Sequence, residues 1–230
     1  MKNKYVDLIE QTFEFPQEEF QITKNNSLKF HDIDLMELIN TYGTPLKFTY
    51  LPKISKNIQK TKKWFKDVFL EKNYSGKYYY CYCTKSSHFK HVLDEALKND
   101  IHIETSSALD IDIVNRLKEG GKISNKTFVL CNGFKRGQYV ENIASLINSG
   151  HENCIPIIDN YEEIYLLNAQ IKRNYKIGIR IASEEEPKFE FYTSRLGIGY
   201  KNILPFYQRE IKKLKNVELK MLHFFINTGI

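Results

Sequence analysis

Short runs of apolar, β-favouring residues alternate along this chain with longer stretches in which apolar positions recur at helical spacing. The runs cover residues 79–84, 101–105, 127–131, 154–158, 176–181 and 219–225. Between them, residues 89–99 place Val92, Leu93, Ala96 and Leu97 on one helical face, and residues 138–148 do the same with Ile143, Ala144 and Ile147. The runs begin about every 20 to 30 residues, with one longer gap before the last. That rhythm predicts βα units, and hence an α/β fold with a parallel sheet covered by helices.

The first 50 residues break the rhythm. Residues 20–33 read as a hairpin turning at Asn25-Asn26, and residues 34–42 as a short helix capped by Asp34. Gly43 and Pro45 end that helix before a predicted strand over 46–50. A hairpin ahead of the βα units predicts a small accessory β-layer.

Two architectures share this rhythm, a doubly wound open sheet and a (β/α) barrel. Gly197-Ile-Gly199 follows an irregular acidic stretch and lacks a third glycine, so a dinucleotide-binding turn is weakly supported. Polar residues at the ends of the runs favour the barrel: Lys85, Glu104, Asn132, Asp159 and Arg180. In a barrel such ends converge on one mouth, where active sites lie. Asp159, just before Tyr161-Glu-Glu163, reads as the cap of the next helix. A lysine and an arginine at strand ends are harder to explain as caps.

Composition narrows the classes. The 230 residues carry a net charge of +6, but the lysines of 53–63 fall on a helix-like stretch and read as a solvated face. No nucleic-acid-binding motif accompanies the charge. No apolar run approaches the ~18 residues that span a bilayer, and residues 1–10 lack a secretory pattern. The expectation is a cytoplasmic protein with neither nucleic-acid nor membrane partners. Cys81, Cys83, Cys131 and Cys154 all sit in apolar segments, without the second pair a zinc site needs. They read as buried thiols, and no metal is expected.

By parity Lys85 shares a strand face with Cys81 and Cys83, while Tyr80 and Tyr82 face the other way. If the small side chains face a barrel interior, the Lys85 amine stands at its inner rim. Position alone favours the plainer alternative, an exposed lysine just past a strand. Desolvation in such a mouth is how Schiff-base lysines are activated.

Several segments, in order, resemble one family. Residues 42–50, Tyr-Gly-Thr-Pro-Leu-Lys-Phe-Thr-Tyr, are similar to the opening segment of the ornithine, diaminopimelate and arginine decarboxylases of the alanine-racemase-like fold. Tyr82-Cys-Thr-Lys-Ser-Ser87 resembles their cofactor-lysine motif, and residues 101–107 their second-strand motif, with Glu104 as the acid near the lysine and Asp110 at a further acidic position. Residues 178–182 with 194–198 resemble the fifth-strand region, whose arginine is here Arg180. The last segment departs from the pattern: Phe225 stands at the ring-stacking histidine position, Asn227 at a glycine and Thr228 at a serine. His223 shares a strand face with Phe225 and could partly replace the imidazole; a structural His fits equally. The resemblance spans roughly residues 28–230, and bacterial arginine decarboxylases of the barrel type are nearest.

The resemblance implies pyridoxal 5'-phosphate as cofactor and decarboxylation of a basic amino acid, arginine first, in polyamine biosynthesis. Ornithine, diaminopimelate and carboxynorspermidine are alternatives, as is a non-catalytic cofactor-binding or regulatory homologue. It implies Lys85 and Glu104 as catalytic residues, and Arg180, His223, Phe225 and Thr228 beside Lys85 as cofactor-binding residues. The expected organisation is an N-terminal segment, 1–50, and an incomplete cofactor-binding barrel, 51–230, with about six of eight strands. The family's glycine-rich phosphate loop, the acid on the pyridine nitrogen and a C-terminal β-domain are expected beyond Ile230. The amino-acid substrate is the small-molecule partner, and a homodimer is expected in the complete protein.

Overall fold

The computed structural model describes residues 19–182 and 196–225. The chain forms two compact units, Met1–Tyr50 and Leu51–Ile230. In the first, β1 (Phe20–Ile22) pairs antiparallel with β2 (Leu28–Phe30), and β2 with β3 (Ile33–Asp34). The hairpin turns as the sequence predicts, with Asn26 at φ +59° and its N–H bonded to Thr23 O. Asparagine tolerates that left-handed conformation better than most residues. Helix α1 (Leu35–Tyr42) is capped by Asp34, whose carboxylate accepts from the N–H groups of Met36 and Glu37.

Residues 46–50 do not form the predicted strand. Leu46, Phe48 and Tyr50 alternate with polar residues, but alternation makes a strand only where a neighbouring strand supplies a ladder. Among the described residues none pairs with this segment.

The second unit begins with α2 (Pro52–Glu71), with Pro52 at its start and Ile58 buried. Six parallel strands follow, β4 (Cys81–Cys83), β5 (His102–Thr105), β6 (Val129–Cys131), β7 (Cys154–Ile158), β8 (Tyr175–Arg180) and β9 (Val217–His223). Helices α3 (Lys90–Leu97), α4 (Ala108–Glu119), α5 (Gln138–Asn148), α6 (Tyr161–Gln170) and α7 (Tyr200–Arg209) connect them in turn. The spatial order of the strands is their chain order. A doubly wound sheet reverses direction at a switch point; this one does not, so the architecture is a partial (β/α) barrel.

The two faces of the sheet are distinct. Ile103, Val129, Cys131, Cys154, Ile158, Ile177 and Ile179 pack outward against the helices in the main core. Tyr80 and Tyr82 also face outward, toward Ile58 and Ala96. The opposite, concave face carries Cys81, Leu130, Ile155, Ile157 and Met221. Gly178 lies in this layer because a Cβ there would come within 2.6 Å of Ile157 Cδ1 and 2.8 Å of Met221 Cγ. Below it, Tyr79, His102 and Phe128 cluster with ring centroids 4.8–5.3 Å apart. Above it, at the C-terminal strand ends, come polar residues.

Candidate active site

Strand alternation lifts Cys83, Glu104, Asn132, Asp159 and Arg180 onto the concave face, one step above the apolar layer. The strand register brings them together. Cys83 pairs with Glu104, and the Cys83 thiol lies 3.7 Å from Glu104 Oε1. Asn132 Nδ2 donates to the same carboxylate at 3.2 Å, while Asn132 Oδ1 faces Arg180 Nη1 at 3.5 Å. Arg180 Nε lies 3.8 Å from Asp159 Oδ1. A continuous polar chain therefore crosses the mouth, from Cys83 through Glu104, Asn132 and Arg180 to Asp159.

The electrostatics follow from burial and the Glu104 charge. Burial first, then Glu104, pushes the Cys81 thiol up to about 12 and raises that of Cys83 as well. Both stay protonated at neutral pH. The His223 imidazole is held below the ordinary histidine value, chiefly by burial, with Arg180 and Lys135 adding to the effect and Glu104 and Asp159 opposing it.

A β-bulge aims His223. Ile177 pairs with Leu219 but Gly178 pairs with Met221, so Lys220 is skipped in the ladder. Leu219 packs on the helix side and Met221 on the concave side, an inversion that a regular strand cannot produce. His223 consequently pairs with Arg180 on the concave face. Its Nδ1 is buried without a hydrogen-bond partner.

Lys85 lies in the turn after β4 and is exposed. It is near enough to Cys83 for its charge to favour the thiolate, and it forms no ion pair among the described residues. Its described neighbours leave the amine open to solvent rather than desolvated. Thr84, just before it, is buried and anchors the turn, its N–H and hydroxyl both donating to Glu104 O at 3.0 and 3.1 Å. Phe225, just past β9, has an exposed ring. Thr228 lies outside the described residues. Asp110 accepts from Ser106 N at 2.8 Å.

One site residue differs from the sequence reading and a second has no place in it. Asn160, not Asp159, caps α6, accepting from the N–H groups of Glu162 and Glu163. Asp159 is freed to face Arg180, and neither of its buried carboxylate oxygens has a hydrogen-bond partner. The signal was present: Asn160 and Glu163 have capping-box spacing, with Asn160 Nδ2 donating back to Glu163 at 3.2 Å. The second is Lys135, which is fully buried and paired with Glu163 at 3.1 Å. Glu163 also accepts from the backbone N–H groups of Lys135 and Asp159, at 3.0 and 2.8 Å. It ties the loop after β6 to the end of β7.

No family model matches the chain. A curated relative, the biosynthetic arginine decarboxylase of Prochlorococcus marinus (strain MIT 9515), is 25% identical over 91% of this chain and 34% of its own length. Among solved structures, the diaminopimelate decarboxylase of M. jannaschii in complex with L-lysine shares the fold with a TM-score of 0.74 at 17% identity, over 93% of this chain and 49% of that one. The lysine decarboxylase of Selenomonas ruminantium, in its complex with PLP and cadaverine, gives a TM-score of 0.64 at 14% identity, over 91% and 45%. The chain spans about a third of the curated relative and less than half of these structures.

Proposed function

We propose, from its similarity to the N-terminal portion of the ornithine, diaminopimelate and arginine decarboxylase family, that this chain carries part of the active site of a pyridoxal-phosphate-dependent decarboxylase of basic amino acids. One observation carries the reading. The motif residues for that chemistry, far apart in sequence, belong to one strand-end cluster: Lys85 at its rim, Glu104 and Arg180 joined through Asn132 within it.

The residues present fit the cofactor. Lys85 offers an exposed amine to an aldehyde. Arg180 offers a largely buried guanidinium, 13% exposed, to an anionic ring oxygen. Phe225 offers an exposed aromatic face for the ring. His223 stands beside Arg180 in the strand ladder, with its Nδ1 buried and without a hydrogen-bond partner. Thr228 is proposed as a phosphate ligand from the sequence pattern alone.

When bound, the cofactor supplies an electron sink for the pair left by carbon dioxide loss. The chain's own residues bind and orient. The Lys85 amine would hold the cofactor through its aldehyde, and the Glu104 carboxylate would accept or return a proton of that amine. Arg180 would offer positive charge to an anionic oxygen of the cofactor, and Phe225 an aromatic face for its ring. The raised thiols of Cys81 and Cys83 stay protonated and leave the floor of the mouth neutral at these two positions.

Arginine is the proposed substrate, resting on the 25% identical relative; lysine and diaminopimelate are the competing substrates. A place in polyamine synthesis, a cytoplasmic location and a homodimer are proposed from the same resemblance. The test is carbon dioxide release by the intact gene product from arginine, ornithine, lysine and diaminopimelate. Release from arginine above the others supports the reading. No release from any of the four, with the cofactor bound, favours a non-catalytic homologue.

A further inference from the structure

Glu104 and Arg180 have no direct ion pair among the described residues, although they occupy the same mouth. Asn132 stands between them, and its amide polarity matches the charges on either side. The donor nitrogen meets the Glu104 carboxylate at 3.2 Å and the acceptor oxygen meets the Arg180 guanidinium at 3.5 Å. Asn132 is itself 7% exposed, with its backbone N–H held by Thr105 O at 2.9 Å and its carbonyl accepting from the Tyr139 hydroxyl at 3.0 Å. On the other side, Asp159 approaches Nε of the guanidinium at 3.8 Å. The loops carrying Asn132 and Asp159 are joined by the buried Lys135–Glu163 pair.

We infer that Asn132 is a positioning residue that keeps Glu104 and Arg180 apart and oriented, with Asp159 as the second hold on the guanidinium. A direct salt bridge between the two would neutralise both and turn them away from a ligand. A neutral amide instead satisfies one oxygen of the acid and one nitrogen of the base. The remaining Glu104 oxygen and the other guanidinium nitrogen are left for groups arriving at the mouth. Asp159, with both oxygens lacking hydrogen bonds, lies 3.8 Å behind the Nε edge of Arg180 and fixes which edge of its plane points outward. The inference rests on the proposed function, since the ligand that gains from this spacing is the cofactor bound at Lys85.

The test uses the intact gene product with Asn132→Leu and Asn132→Asp variants, and reads pyridoxal phosphate affinity and the pH midpoint of the bound chromophore. Thermal melting of each variant without cofactor checks its fold. A held guanidinium near the ring oxygen disfavours the protonated chromophore, so loosening it in Asn132→Leu raises the midpoint and weakens binding about tenfold. Asn132→Asp still grips Arg180 but adds negative charge beside Glu104, raising the midpoint further. A purely structural role would lower the melting temperature and leave the midpoint of the folded variants unmoved; that result, or unchanged binding in Asn132→Leu, overturns the inference. If the wild-type protein forms no bound chromophore, the proposed function falls, and the inference with it. The two failures are therefore distinguishable.

Discussion

Arg180 and His223 are direct partners in the β8–β9 ladder, and they share the concave face because Lys220 is skipped between Leu219 and Met221. The bulge takes up one residue, so strand parity beyond it is opposite to parity before it. Deleting Lys220 should therefore regularise the ladder without moving His223, and pyridoxal phosphate affinity should stay within about threefold. Deleting Leu222 should turn His223 and Phe225 to the helix side and weaken binding by about tenfold or more. Fluorescence titration of the two deletion variants checks this; equal losses in both would contradict the bulge's role.

The buried Lys135–Glu163 pair should behave as a unit. Desolvation holds the Lys135 ammonium below its ordinary value, opposed by the Glu163 charge. Removing one partner leaves the other charge buried, and Lys135→Met should cost about 3–5 kcal/mol. The double variant Lys135→Met/Glu163→Leu should recover part of that loss, but not all, because Glu163 also accepts two backbone N–H groups. Urea denaturation of both variants measures the difference; a double variant no more stable than Lys135→Met would contradict it.

Gly178 sits where the interior layer has no room for a side chain. With a Cβ 2.6 Å from Ile157 Cδ1 and 2.8 Å from Met221 Cγ, Gly178→Ala should destabilise by about 1–3 kcal/mol through overpacking. Adding Ile157→Val should relieve part of it, as read by the urea midpoint.

Stability should fall on mild acidification. His102, His151 and His223 are each held below the ordinary histidine value, chiefly by burial. Unfolded, they titrate near ~6.5, so below that pH the unfolded chain binds more protons than the folded one. Stability is fully present above about pH 7 and declines as pH drops toward the depressed folded values. The urea midpoint should be lower at pH 5.5 than at pH 7.5, and His151→Gln should narrow the gap. A midpoint that does not change with pH in this range would contradict the assignment.

Much of this architecture is legible in the chain. The six apolar runs and the helical patterns between them predict a parallel α/β fold, and the polar strand ends foretell Glu104 and Arg180 at one mouth. The sequence also reads the Cys81 and Cys83 face correctly, because parity holds along a regular strand. Parity fails where the backbone is irregular: nothing in residues 217–223 marks Lys220 as the skipped residue. The strand expected over 46–50 fails for another reason, since alternation records a surface but not a partner. The sequence does not separate Asp159 from Asn160, because two adjacent residues could each cap α6 and only the backbone turn decides between them. Lys135 gives no local signal, as its burial depends on Glu163, 28 positions away.

The central claim is that Lys85 is the attachment point of the cofactor, and chemical trapping tests it most directly. The intact gene product is incubated with pyridoxal phosphate, reduced with borohydride and mapped by peptide mass spectrometry, with Lys85→Ala alongside. The account predicts a single reduced adduct on Lys85, absent from the variant. An adduct on a different lysine, or an unchanged level of adduct and chromophore in Lys85→Ala, would contradict it.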